Sequence, residues 1–342
     1  MYDVVTFGEA MLRLSPPGFQ RLEQTASLDV QVGGSELNVA VGLSRLGVHS
    51  TWVSRLPRNP LGRLIEGRVR QVGVDTSHLI WADAGRVGLY FVEFGAAPRP
   101  SSVLYDRAHS AMCSIRPEEV DWPAVFRGAT WFHVSGITPA LSDATARATK
   151  DALETARAAG LTISYDLNYR SGLWQIDKAR TVQLPLMQYV DILITAEGDA
   201  ARVLDAHPAG SASTRAFSVL DIEPYKDVAC ALQRQFGFKA VALTLRENPL
   251  VWRNTWTAIV YADGKCCEGG KHEVEIVDRI GAGDSFAAGF IYGCLTKKSY
   301  EAALQYGCAC AALKHSHRGD FNWATLEEVE ALLQGGGLRI SR

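Results

Sequence analysis

Short apolar runs alternate along this chain with amphipathic stretches that stop at glycine, and few folds accept that rhythm. Val4–Phe7 predicts a buried strand, and residues 36–46 place Leu37, Val41, Leu43 and Leu46 on a helix that stops at Gly47. The pattern recurs as strand 51–54, helix 61–72 closed by Gly73, strand 131–134, helix 143–159 ending at Gly160, and strand 161–165. Residues 191–195 and 240–245 predict two more buried strands, and three helices follow at about 284–296, 300–314 and 325–333. Strands apolar on both faces must be covered on both faces. The order therefore predicts an α/β fold with a mainly parallel central sheet between helical layers.

Two stretches break the rhythm. Residues 87–114 read as extended, with Tyr90, Val92 and Phe94 separated from Val103 and Tyr105 by a Gly/Pro/Ser turn. Together with residues 12–32 they predict a small sheet standing off the main body. Residues 251–277, with an Asp-Gly turn at Asp263 and Gly264, predict a second hairpin. The chain's 342 residues exceed the roughly 150 of an average domain. We assign the surplus to one large domain, 1–334, with a lid built from about 12–32 and 86–114, and a flexible tail at 335–342.

Composition narrows the partners. A net charge of −2 argues against a nucleic-acid binder, which carries a basic stripe. The longest uncharged apolar stretch, 285–296, is far short of the roughly 20 residues of a membrane span. The seven cysteines are odd in number and repeat no Cys-x-x-Cys spacing, which predicts reduced thiols rather than a disulfide framework or a zinc site. An acid stands at Asp3, where a secretory signal would be basic. The expectation is a soluble cytoplasmic protein acting on a small molecule.

Chemistry concentrates in Val277-Asp278-Arg279-Ile280-Gly281-Ala282-Gly283-Asp284-Ser285-Phe286. A strand ends, glycines let backbone N–H groups approach a ligand, and an acid opens an amphipathic helix. A helix N-terminus with bare backbone suits a transferring phosphoryl group, and Asp284 is placed to take a proton from an attacking hydroxyl. The same residues also suit an ordinary capped helix. A second segment, Gly33-Gly34-Ser35-Glu36-Leu37-Asn38, precedes a helix whose first turn presents Ser35 and Asn38 on one face, fit for sugar hydroxyls. Neither a dinucleotide fingerprint nor a Walker A sequence is present. Elsewhere, His315 and His317 read as surface residues, Trp252 and Trp256 as hairpin packing, and Cys308 and Cys310 as a helix packing layer or part of a nucleotide pocket.

The two glycine segments, one near each end, resemble the signature pair of the ribokinase-like (PfkB) carbohydrate kinases. Gly8-Glu9-Ala10-Met11-Leu12-Arg13, Leu104-Tyr105-Asp106-Arg107, Asp166-Leu167-Asn168-Tyr169-Arg170 and Val241-Ala242-Leu243-Thr244-Leu245-Arg246-Glu247 are similar to the 2-keto-3-deoxygluconate kinases within that family. The resemblance implies a three-layer αβα sandwich with a β-sheet lid and an ATP- and Mg²⁺-dependent kinase acting on the terminal (6-) hydroxyl of a sugar acid. It implies Asp284 as general base, with the helix N-terminus Gly281, Ala282, Gly283 and Asp284 as anion hole through the N–H groups of Ala282, Gly283 and Asp284. Gly33, Gly34, Ser35, Asn38, Tyr90, Tyr105, Arg107 and Arg170 are then substrate candidates, the arginines matching a carboxylate with a bidentate fork. Asn168, Arg170, Thr244, Arg246, Gly281 and Gly283 are the ATP candidates, and Glu197 and Asp199 the metal candidates, through water.

The chain departs from the family pattern at two points. Ala196 stands where the family's Asn-x-x-Glu motif begins, with Asp199 at its fourth position. Arg246 stands where many relatives have the glycine of a Thr-x-Gly loop. These departures keep a slow kinase and a non-catalytic sugar or nucleotide sensor open, beside fructokinase, ribokinase and deoxy-inositol-acid kinase readings. An exposed lid edge also predicts a homo-oligomer, a dimer or higher.

Overall fold

The computed structural model describes residues 3–208, 222–250 and 252–335, and the side chains of 246–250 lie outside that description. The strands are β1 (Val4–Phe7), β2 (Met11–Ser15), β3 (Asp29–Gly33), β4 (Ser50–Pro57), β5 (Leu79–Ala82), β6 (Gly88–Glu93) and β7 (Ser102–Asp106). They continue as β8 (Trp131–Ser135), β9 (Thr162–Asp166), β10 (Ile192–Ala196), β11 (Ala240–Leu250), β12 (Arg253–Ala262), β13 (Lys265–Glu268) and β14 (His272–Glu275). The main sheet runs β13-β12-β11-β10-β9-β8-β1-β4-β5, with β14 also on β12. Every pair from β11 to β5 is parallel, and β12, β13 and β14 pair antiparallel.

Side chains alternate across a strand, so one residue serves one face and its neighbour the other. Val5, Leu193, Val241 and Leu243 enter a core shared with the helices Asp143–Ala158 and Glu223–Phe236. Val4, Ile192, Ile194, Ala240 and Ala242 enter the opposite core, against Ala282–Lys297 and Tyr300–Lys314. That double burial is why these strands read as unbroken apolar runs. Ala282–Lys297 and Tyr300–Lys314 lie so close that a Cβ on Gly293 would come within 2.3 Å of the Ala303 Cα.

A second sheet, β3-β2-β6-β7, stands on the first. β2 follows β1 after only Gly8–Ala10, so this sheet is rooted at the C-terminal end of a central strand. Its outer strand β7 leaves Val103, Leu104 and Tyr105 exposed.

The region 251–277 is more than one hairpin. Trp256, Ala258, Val260 and Ala262 face the helical core, so β12 joins the main sheet instead of standing apart. Asp263 and Gly264, both at positive φ, turn the chain into β13, and β14 returns along the first half of β12. Trp252 precedes the strand that carries Trp256. His315 is buried, not surface: its ring lies 5.8 Å from that of Trp256, and its Nδ1 meets the Ala311 carbonyl. Cys308 and Cys310 are buried in the helical layer, and all seven cysteines are unpaired. Among the described residues no helix is long and apolar enough to cross a membrane. Residues 336–342, most of the expected tail, lie outside the described residues.

Candidate active site

In parallel sheets, ligands bind beyond the carboxyl ends of the strands. A cavity of about 610 Å³ opens there, lined from β9 by Asp166, from β10 by Ala196, from β11 by Thr244, and from the lid by Met11, Tyr90 and Tyr105. The start of Ala282–Lys297 closes it. Gly281 takes φ +85°, and a Cβ there would meet the Asp320 carbonyl at 2.3 Å, so the turn needs glycine on both counts. The Ala282 N–H is turned back to the Arg279 carbonyl at 3.3 Å, so it is not presented as a donor. The N–H groups of Gly283 and Asp284 have no backbone partner among the described residues and border the cavity.

Asp284 is held from both sides. Ser35 Oγ donates to its Oδ1 at 2.8 Å and Asn38 Nδ2 to its Oδ2 at 2.7 Å. Asn168 Nδ2 donates to Ser35 Oγ at 2.9 Å, extending the chain of bonds to the end of β9. Loss of solvent raises the Asp284 carboxyl to about 6, opposed by the Asn38 and Ser35 hydrogen bonds and the Arg170 charge. It is therefore mostly ionised at neutral pH yet basic enough to take a proton.

The other candidates separate. Gly34, Tyr105 and Arg170 line the cavity, and Arg170 is exposed, its Nη1 donating to the Tyr169 carbonyl at 3.2 Å. Gly33 lies behind the wall, where a Cβ would collide with Asp320 and the Tyr90 hydroxyl. Tyr90 borders the cavity, but it is buried, stacks on Tyr105 and spends its hydroxyl on Asp320. Arg107 also lines the cavity, but it is buried and already paired. Glu9 Oε2 accepts from its Nη2 at 2.5 Å and from its Nε at 2.9 Å, and Ser110 donates to the other Glu9 oxygen. Thr244 reaches the Thr195 carbonyl at 3.4 Å. Arg246 pairs by its backbone with Trp256, and its side chain lies outside the described residues.

Glu197, Asp199 and Ala196 all border the cavity, and Asp199 Oδ2 also accepts from the Tyr169 N–H at 3.2 Å. No group of three or more His, Cys, Asp or Glu among the described residues is spaced to ligate a metal directly. Asp166, beside them, is raised well above the usual carboxylate range by burial and by the Asp284 and Asp199 charges. Carboxylates that repel one another in a cavity suit a hydrated divalent cation, so the residues fit Mg²⁺ held through water.

Sequence reasoning missed four contributors: Asp166, Glu9, Arg13 and Asp320. Arg13 is fully buried in β2, with Nη2 at 2.7 Å from Asp278 and Nη1 at 2.9 Å from Asp320. Glu9, Arg13 and Asp166 lie in segments that carry the family resemblance, but no local pattern assigns them a role, because their partners lie far along the chain.

A lid, a glycine turn at a helix N-terminus and an adjacent carboxylate define a site that moves an anionic group onto a hydroxyl. The pfkB family carbohydrate kinase model matches residues 1–325, and the chain belongs to that family. It is accordingly a phosphotransferase with an alcohol acceptor. The chain is 41% identical over 340 residues to 2-dehydro-3-deoxygalactonokinase of Haloferax volcanii, covering 99% of each. It is 28% identical to 5-dehydro-2-deoxygluconokinase of Shouchella clausii, covering 97% of this chain and 96% of the relative. The crystal structure of 2-dehydro-3-deoxygluconokinase from Thermotoga maritima superposes with a TM-score of 0.91 at 43% identity, covering 98% of each chain. Family membership sets aside the sensor reading.

Proposed function

We propose that this chain is an ATP-dependent sugar-acid kinase that phosphorylates the terminal (6-) hydroxyl of 2-dehydro-3-deoxygluconate or its galactonate epimer. The observation that carries the reading is Asp284, held by Ser35 and Asn38 at the start of a helix, in a cavity that also exposes Arg170. The relatives named for the two epimers support the substrate class.

In this reading the Asp284 carboxylate accepts the hydroxyl proton as the sugar oxygen bonds to the γ-phosphorus. The bond from that phosphorus to the β–γ bridging oxygen breaks, and ADP leaves. The Gly283 and Asp284 N–H groups stabilise charge on the moving phosphoryl group. Arg170 pairs with the sugar carboxylate or a phosphate oxygen, while Tyr105 and the lid exclude water. Arg107 orients lid contacts rather than neutralising the substrate, because Glu9 already does so for it. Glu197, Asp199 and Asp166 would hold Mg²⁺ through water, and the ion would supply neutralisation of the phosphate charge. Exposed Val103, Leu104 and Tyr105 on β7 support pairing with a second copy.

A coupled assay of ADP release decides the matter, with ATP and a panel of both epimeric 2-dehydro-3-deoxy acids, 5-dehydro-2-deoxygluconate, fructose and ribose. Highest kcat/KM on a 2-dehydro-3-deoxy acid is expected; preference for a neutral sugar would overturn the reading.

A further inference from the structure

Beside the phosphoryl site lies a buried cluster that the chemistry above does not use. Arg13 bridges Asp278 and Asp320, and Tyr90 donates to Asp320. Asp278 is fully satisfied: Oδ1 accepts from the Ile280 N–H at 3.0 Å, and Oδ2 accepts from the Gly319 N–H at 3.0 Å as well as from Arg13. Lys314, the last residue of Tyr300–Lys314, is also fully buried. Among the described residues its ammonium pairs directly with no carboxylate. It donates instead to the carbonyl of Asp278 at 3.4 Å and to that of His317 at 3.3 Å.

Burying an ammonium costs several kcal/mol unless charge and hydrogen bonds compensate it. Here Lys314 and Arg13 balance the two carboxylates of Asp278 and Asp320. The ammonium joins two chain segments through their carbonyls: the turn at Asp278, three residues before Gly281, and the loop at His317, three residues before Asp320. Asp320 in turn packs its carbonyl against Gly281. The backbone that shapes the anion hole is thus gripped from behind by one side chain.

We propose that Lys314 is a positioning residue for phosphoryl transfer: its ammonium, lodged on the Asp278 and His317 carbonyls, fixes the turn that presents the Gly283 and Asp284 N–H groups. The inference rests on the kinase reading above. The titratable and charged groups that act on the ammonium are Asp278 from the turn, Asp320 from the loop, Arg13 from β2 and Asp284 from the following helix, and its charge acts in turn on His315 and His317. Desolvation lowers Lys314 to about 8, opposed by the charges of Asp278 and Asp320. The ammonium is lost as pH rises through that value, so kcat falls on the alkaline side.

The test is Lys314→Met in the full chain, with wild type first assayed for turnover of sugar acids. The variant is expected to lose about 10- to 100-fold in kcat, the scale of a misplaced reacting group, with sugar KM changed less than about threefold. It also loses the wild-type alkaline limb near pH 8, and methylamine restores part of the rate. A folded variant with wild-type kcat from neutral to alkaline pH overturns the proposal. If Lys314→Met does not fold, Lys314→Gln, which keeps donors without charge, replaces it. Failure of both to fold makes Lys314 a folding residue and also overturns it. A wild type that turns over no sugar acid sinks the kinase reading instead. The ratio of ATP to ADP affinity in the same variants then decides the inference: a ratio lowered about tenfold supports it, and an unchanged ratio overturns it.

Discussion

Ser35 Oγ lies 2.8 Å from Asp284 Oδ1, a hydrogen bond that ties the first α-helix of the chain to the helix at 282–297 across 249 positions. With Asn38 on the other oxygen, the bond fixes the carboxylate and favours its ionised form. Asp284→Asn is expected to cut kcat by about 10²–10⁴, the general-base scale, with sugar KM little changed. Ser35→Ala removes a bond to the ionised form, so the acid limb of kcat/KM, near pH 6 in wild type, moves to higher pH. A profile from acid to alkaline pH checks it. An unmoved limb would mean that Asp284 is not the titrating base.

Arg170 is an exposed cation on the cavity wall, and its charge lowers both Asp284 and Asp166. Arg170→Ala is expected to cost about 10- to 100-fold in kcat/KM on acid sugars, the worth of a charge-assisted hydrogen bond. Lys at this position recovers only part, lacking the planar fork. Equal losses on acidic and neutral sugars would show that Arg170 serves the phosphates rather than the sugar carboxylate.

The fold was legible where its causes are local. Val4–Phe7, the first helix and the three C-terminal helices follow from apolar period and glycine stops, and Gly281 followed from turn chemistry. What stayed hidden depends on partners far away in sequence. Arg107 reads as a cation for a substrate carboxylate until Glu9, 98 residues earlier, is seen to accept from it. Arg13 looks like a polar strand residue until Asp320, 307 residues later, meets it. Trp256 looked like hairpin packing because nothing nearby says that β12 joins the main sheet. Burial of charge is a tertiary event, and no period or spacing records it.

The Glu9–Arg107 pair makes a different prediction. Both side chains are buried, so Arg107→Ala leaves Glu9 without its partner and is expected to cost about 3–5 kcal/mol of stability. Glu9→Gln combined with Arg107→Met removes both charges and should recover most of the loss. Urea unfolding of the two variants checks this. A stable single variant with a raised sugar KM would assign Arg107 to the substrate after all.

Glu36 gives the last prediction. It sits in the first turn of Ser35–Arg45, fully buried, with Oε1 accepting from the Ser135 N–H, Ser135 Oγ and Thr138 Oγ1. Burial raises its carboxyl from 4.5 to about 7, against those hydrogen bonds. The folded state therefore holds a proton that the unfolded state releases. This contribution is fully present below pH 4.5 and is lost as pH rises to about 7. Over that window the loss is on the order of 3 kcal/mol. Glu36→Gln keeps an acceptor oxygen and does not titrate, so its stability relative to wild type should improve from pH 4.5 to pH 7 and then stay level. Urea unfolding across the window checks it. A stability difference that does not change with pH would show that Glu36 stays ionised in the core, neutralised by a group other than a proton.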